Sequence, residues 1–157
     1  GVALGGGTEV ALASDIRIGG ESVKLNAAFI LIGLTGCDVG VSYFLPKLVG
    51  SSIAAEMMMT GRFLNGERAL QVGLISELLP DCELDESVQS MANDMIATSP
   101  LGLRLTKEGL NANLDAPSLE SAIMLEDRQQ VLCFQNSDYL EGIDAFRNKR
   151  KPLFRQN

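Results

Sequence analysis

The stretch Gly1-Val2-Ala3-Leu4-Gly5-Gly6-Gly7-Thr8-Glu9-Val10 decides how the chain is read. Residues 1–4 are an apolar run of the kind that ends a buried strand, and three successive glycines stop it. Residues 8–14 have the composition of a short helix with Glu9 in its first turn. Strand, glycine turn and helix, in that order, bring backbone N–H groups to face an anion or a carbonyl oxygen, and the absent side chains leave the approach open. Two nucleotide-binding fingerprints fail on spacing. A dinucleotide turn needs a third glycine where Val10 stands, and a phosphate loop ends in Gly-Lys followed by Ser or Thr. A tight strand-to-helix turn with no ligand is the other use of the same glycines. Because the chain opens inside an apolar strand with no turn or cap before it, it is expected to be the carboxy-terminal part of a longer fold.

Outward from this turn, strands are expected at residues 15–18 and 22–25, spaced like a βαβ layer. Residues 33–40, Gly-Leu-Thr-Gly-Cys-Asp-Val-Gly, are turn chemistry. Asp38 is placed there to cap a segment at 39–44, which Pro46 should bend or end. Ser51 and Ser52 open a helix at 53–60, Asn65 opens another at 66–72, and residues 74–78 read as a strand. Beyond Pro80 apolar residues recur at helical spacing over 85–97, 101–114 and 119–134, with Leu103, Leu110 and Leu114 as one example. The reading is therefore an α/β portion at 1–80 and a helical portion at 81–157. Met57, Met58 and Met59 are expected to pack in a core rather than line a pocket.

Composition narrows the chemistry. With 157 residues, 46% apolar and 21% charged, the chain can bury a core large enough to offset its ordering entropy. Its longest nearly unbroken apolar run, residues 27–34, is too short to span a bilayer, so no membrane association is expected. A net charge of −7 argues against a nucleic-acid partner. Cys37, Cys82 and Cys133 form no C-x-x-C pair, so neither a disulfide framework nor a zinc site is expected. A reducing, cytoplasmic location fits, or the mitochondrial matrix if a targeting segment lies upstream. Histidine is absent, which removes Ser-His-Asp and Cys-His catalysis and leaves acid–base work to carboxylates, Tyr, Lys or backbone dipoles.

The run G-V-A-L-G-G-G-T-E-V-A-L-A-S-D-I-R-I resembles the enoyl-CoA hydratase/isomerase, or crotonase, superfamily. The likeness continues in family order through Gly33-Leu34, Leu45-Pro46-Lys47-Leu48-Val49-Gly50, Ala55-Glu56, Thr60-Gly61, residues 69–75, Pro100, Lys107 and the tail Glu141-Gly142-Ile143-Asp144-Ala145-Phe146-Arg147-Asn148-Lys149-Arg150-Lys151-Pro152. It implies an α/β fold: a crotonase-like ββα spiral core with its amino-terminal part, roughly a hundred residues, missing. Residues 1–80 would be the carboxy-terminal part of that core, and 81–157 a helical trimerisation region that also caps CoA. The implied partner is an acyl-CoA thioester, with coenzyme A entering as part of the substrate and no other cofactor or metal. The implied assembly is a homotrimer or homohexamer.

Carried over residue by residue, the backbone N–H of Gly6 matches the second oxyanion-hole donor and Glu9 the first catalytic glutamate. Phe146 and Lys149 match positions where an aromatic ring and an ammonium of a neighbouring subunit approach the adenine and phosphates of CoA. Bland roles exist for the same residues. An acid in a helix's first turn gains about 0.3–1 kcal/mol from the macrodipole, and a terminal basic cluster suits a solvated helix end. One departure matters more. The second glutamate of a Q-P-E motif falls at Phe29, within Asn26-Ala27-Ala28-Phe29. Asp38 is the nearest replacement, since an aspartate in a G-x-x-D-x-G turn of dienoyl-CoA isomerases reaches the same acyl pocket, although the turn here is one residue longer. Asp38 can be cap, acid or both. The resemblance implies hydration of a 2-enoyl-CoA, of the fatty-acid oxidation type, as the default reaction, with enoyl- or dienoyl-CoA isomerisation as the alternative. A non-catalytic CoA-binding or assembly protein is the alternative of another class.

Overall fold

Two small sheets organise the first half of the chain in the computed structural model, which describes residues 1–155. In one, β1 (Val2–Leu4) pairs in parallel with β3 (Lys24–Asn26), and β3 pairs antiparallel with β4 (Leu64–Asn65). In the other, β2 (Ile18–Gly20) runs parallel to β5 (Glu77–Leu79). Parallel neighbours need a crossover, and α1 (Gly6–Leu12) supplies part of the one from β1 to β3. The chain thus steps from one sheet to the other and back as it advances.

With the sheets in the first half come a 3-10 helix at Ala28–Ile32, α2 (Val41–Val49), α3 (Ser51–Thr60), α4 (Gly66–Gln71) and a 3-10 turn at Asp81–Glu83, and α5 (Leu84–Ile96) follows in sequence. Of these, α2, α3 and α4 turn buried residues inward. Val41 and Leu45 of α2, Ala54 and Met57 of α3 and Ala69 of α4 meet Leu12, Leu25, Leu64, Leu74 and Ile75 in one core. Met59, two residues beyond Met57, faces the other way and is exposed. Asn65 caps α4, accepting the Arg68 N–H at 3.0 Å.

Several boundaries differ from those expected of the sequence, for physical reasons. Pro46 neither bends off nor ends α2, which runs on to Val49. An interior proline costs about 3 kcal/mol, but the full burial of Val41 and Leu45 stabilises the helix by about 1.5–3 kcal/mol per side chain. Leu74 and Ile75 are core residues outside any strand. Their N–H groups both turn back to the Ala69 carbonyl at the end of α4, which delays the strand to Glu77. Gly50, not Ser51 or Ser52, stands at the N-cap of α3.

The chain divides into two compact units, Gly1–Val88 and a second beginning at Gln89, so the division falls within α5. The second unit holds α6 (Pro100–Asn113), α7 (Leu119–Phe134) and α8 (Ser137–Arg147). A capping box between Ser118 and Ser121 starts α7, and Asn136 caps α8. The tail is held against α8 by carboxylates. Arg150 pairs with Glu141 at 2.6 and 2.9 Å and with Asp144 at 2.6 Å. The Leu153 N–H donates to Glu141 at 2.7 Å, and buried Asp138 accepts from the Ser99 hydroxyl and the Arg155 N–H. The Arg150 bonds, with the Leu153 N–H behind them, lower the Glu141 carboxyl to about 2. Among the described residues no helix is long and apolar enough to cross a membrane.

Gly61 ends α3 with φ +65°, and a Cβ there would sit 2.5 Å from Cγ of Leu31 and 3.1 Å from Cγ2 of Ile30. Gly61→Ala is therefore expected to lower the unfolding free energy by about 2–4 kcal/mol, combining left-handed strain with overpacking. Chemical denaturation checks this, and an unchanged midpoint would show that the Leu31 side chain yields freely.

Candidate active site

Gly5 joins β1 to α1 with no residue between, at φ 49° and ψ −121°, a conformation glycine reaches without a Cβ penalty. Its N–H donates to the Asn26 carbonyl at 3.2 Å, and its own carbonyl accepts the N–H groups of Thr8 and Glu9 at 2.9 and 3.2 Å. Gly6 follows, exposed on the turn. Thr8 is fully buried, its hydroxyl 2.7 Å from the Ala3 carbonyl and 3.0 Å from the Asn26 carbonyl.

Glu9, next along, is only 7% exposed. A Cβ on Gly6 would lie 3.7 Å from Glu9 Oε2, so the carboxyl rests against the Gly6 backbone. The other oxygen, Oε1, is buried with no hydrogen-bond partner. Such a group is costly to ionise, and burial pushes its proton affinity above the ordinary carboxylate value. The charge of Asp38 pushes it in the same direction.

Asp38 is not the cap of α2. Gly40, in a left-handed conformation, occupies that place without a side-chain bond. The Asp38 carboxylate accepts the adjacent Val39 N–H at 3.0 Å, and its backbone carbonyl accepts the Val41 N–H at 2.9 Å. The reason is local: positive φ at both Val39 and Gly40 turns the chain before the helix begins, leaving Asp38 outside it and exposed. Phe29 stands on the 3-10 helix with its ring 3.4 Å from the position a Gly5 Cβ would take, so an apolar ring rather than an acid covers the glycine turn.

Gly6, Glu9 and Asp38 all lie in the first unit, with Glu9 against the Gly6 backbone and within reach of the Asp38 charge. Phe146 and Lys149 belong to the second. Phe146 is 83% exposed near the end of α8, and Lys149 has φ 51° with its N–H on the Phe146 carbonyl at 3.2 Å. Sequence reading passed over Thr8 and Asn26. Asn26 is fully buried, donates Nδ2–H to the Gly61 carbonyl at 2.6 Å and leaves Oδ1 unpartnered. No signal in the sequence singled them out, since their partners are backbone carbonyls. Chemically, a buried carboxyl of raised proton affinity beside an accessible backbone N–H can pass a proton next to a polarised carbonyl.

A family model described as enoyl-CoA hydratase/isomerase matches residues 1–157. A Mycobacterium tuberculosis protein named as a probable enoyl-CoA hydratase is 39% identical over 155 residues, which cover 98% of this chain and 54% of that protein. The 1,2-epoxyphenylacetyl-CoA isomerase of Escherichia coli K12 is 34% identical over 98% of this chain and 58% of its own length. The crystal structure of a probable enoyl-CoA hydratase/isomerase from Mycobacterium abscessus superposes with a TM-score of 0.94 at 35% identity, covering 99% of this chain and 60% of that one. The chain spans little more than half the length of the curated relatives it matches.

A carboxyl whose folded value is raised opposes folding when ionised. For Glu9 the penalty is absent below the ordinary carboxylate range, grows as pH rises through it and is complete above the raised value. Glu9→Gln should therefore melt higher than the parent at neutral pH, with the two converging as pH falls to about 4. Melting curves that stay parallel across this range would contradict the assignment.

Proposed function

The chain belongs to the enoyl-CoA hydratase/isomerase family, and on that premise we propose that it acts on an acyl-CoA thioester, with hydration of a 2-enoyl-CoA as its reaction. The observation that carries this is the Glu9 carboxyl, buried against the Gly6 backbone with one oxygen unpartnered. In this reading the Gly6 N–H donates to the thioester carbonyl oxygen. Glu9 takes a proton from water as its oxygen bonds to C3, the C2=C3 electron pair moves into the enolate, and the charge collects on the oxygen that Gly6 holds. Asp38, receiving the proton that Glu9 took, then protonates C2, which returns both carboxylates to their starting charge. Coenzyme A enters with the substrate, and neither a metal nor a second cofactor has a step to perform.

Isomerisation is the second reading, and Phe29 favours it. Its ring lies over the glycine turn where the family's second glutamate would help hold water. Glu9 and Asp38 could then move a proton across an allylic system without water. Relatives named as hydratases and one named as an isomerase stand at comparable identity, 39% and 34%. Loss of absorbance from crotonyl-CoA supports the first reading and conversion of a 3-enoyl-CoA the second. CoA binding with neither reaction would leave a non-catalytic binding protein. Glu9→Gln should lower turnover about 10²–10⁴-fold with CoA affinity retained. Asp38→Asn should lower it too. Full turnover of Asp38→Asn on both substrates would leave Glu9 as a lone base.

The tail is read as a CoA contact across a subunit boundary in a trimer or a dimer of trimers. Exposed apolar side chains on the second unit's helices, among them Leu110, Leu114, Leu119 and Met124, support an interface there. Lys149→Ala should weaken CoA binding while sparing turnover at saturation. A monomer by light scattering of the full-length protein would remove the shared-site part of this reading.

A further inference from the structure

Of the four buried polar or charged residues among those described, Thr8, Glu9, Asn26 and Asp138, three surround the glycine turn. A buried hydroxyl or amide is costly unless it is bonded, and the bonds here run to backbone on either side of the glycine turn and at Gly61. The Thr8 hydroxyl shares its one hydrogen between the carbonyls of Ala3, before the turn, and Asn26, across it, and accepts the Asn26 N–H at 3.4 Å. The same Asn26 carbonyl takes the Gly5 N–H. Behind it, the Asn26 side chain holds the Gly61 carbonyl, and the bare face of Gly61 admits Leu31 and Ile30 of the 3-10 helix. The Phe29 ring of that helix rests on Gly5, so the chain of contacts closes on itself. The unpartnered Oε1 of Glu9 marks this as a place built for a ligand and not only for packing.

We propose that Thr8, backed by Asn26, is a positioning residue that fixes the direction of the Gly6 N–H and of the Glu9 carboxyl relative to the reacting thioester. This rests on the acyl-CoA reading above. Thr8 is fully buried with its hydroxyl spent on backbone carbonyls, so it is not placed to touch substrate. It acts by holding the turn from both sides, and a reacting group displaced by about 1 Å can lose up to about 10²-fold in rate.

The test uses the full-length protein and crotonyl-CoA. Thr8→Val preserves shape and removes the hydroxyl, and it should lower kcat about 10- to 100-fold with KM little changed. The vibrational shift of the bound thioester carbonyl to lower frequency should shrink with it, and Thr8→Ser should restore both. A lower melting temperature with kcat and carbonyl shift intact would reduce Thr8 to a packing residue and overturn the proposal. Should the Val variant not fold, Thr8→Ala, which adds no bulk, gives the same readouts, and parental values in it overturn the proposal equally. If the parent itself shows neither turnover nor a carbonyl shift, the acyl-CoA reading fails instead.

Discussion

The parallel pairing of β1 with β3 is the constraint on which the first unit depends. Its register ends at Leu4 opposite Asn26, and the next N–H, that of Gly5, still donates to the Asn26 carbonyl. A strand that ended any earlier would let the following helix swing. Here the pairing extends into the turn, so the start of α1 is set by a sheet rather than by its own seven residues. An isolated helix of that length is marginal in water, and its stability must come from what it packs against. Leu12 answers this at the other end of the helix, buried in the core shared by α2, α3 and α4.

Much of this was legible because the strongest signals are local. The glycine triplet has few uses, Asn65 before Gly66-Glu67 is a favoured capping residue, and the 3.6-residue recurrence is sustained over α5 and α6. The strands were blurred because each is two or three residues long, too short for an alternating pattern to register. Thr8 and Asn26 escaped notice for another reason. Their partners are backbone carbonyls, which every sequence has, so nothing in residue identity announces them. Asp38 was misplaced as a cap because the left-handed backbone at Val39 is rare for a β-branched residue.

The site also shows where stability is given up. Glu9 could have been replaced by an apolar residue at lower desolvation cost, and Phe29 shows that the surroundings accept one. Keeping an acid there leaves one oxygen unsatisfied and a carboxyl whose proton affinity lies above the ordinary value. The carboxylates of α8 lie at the opposite extreme. Glu141 is satisfied by Arg150 and Leu153 and sits far below the ordinary range, so it has a fixed charge and a holding role.

The closed circuit of contacts from Gly5 through Thr8, Asn26 and Gly61 to Phe29 also bears on how such a site can diverge. Each member is shaped by two others, so a substitution at one position meets resistance from neighbours far away in the sequence. A side chain at position 61 demands smaller ones at 30 and 31, and repacking that helix moves the ring over Gly5. Single substitutions within the circuit therefore carry a packing cost that a compensating change at its neighbour can relieve. Val10, whose side chain is exposed and outside the circuit, is under less of this restraint, and change can accumulate on that surface while the packing beneath it stays fixed.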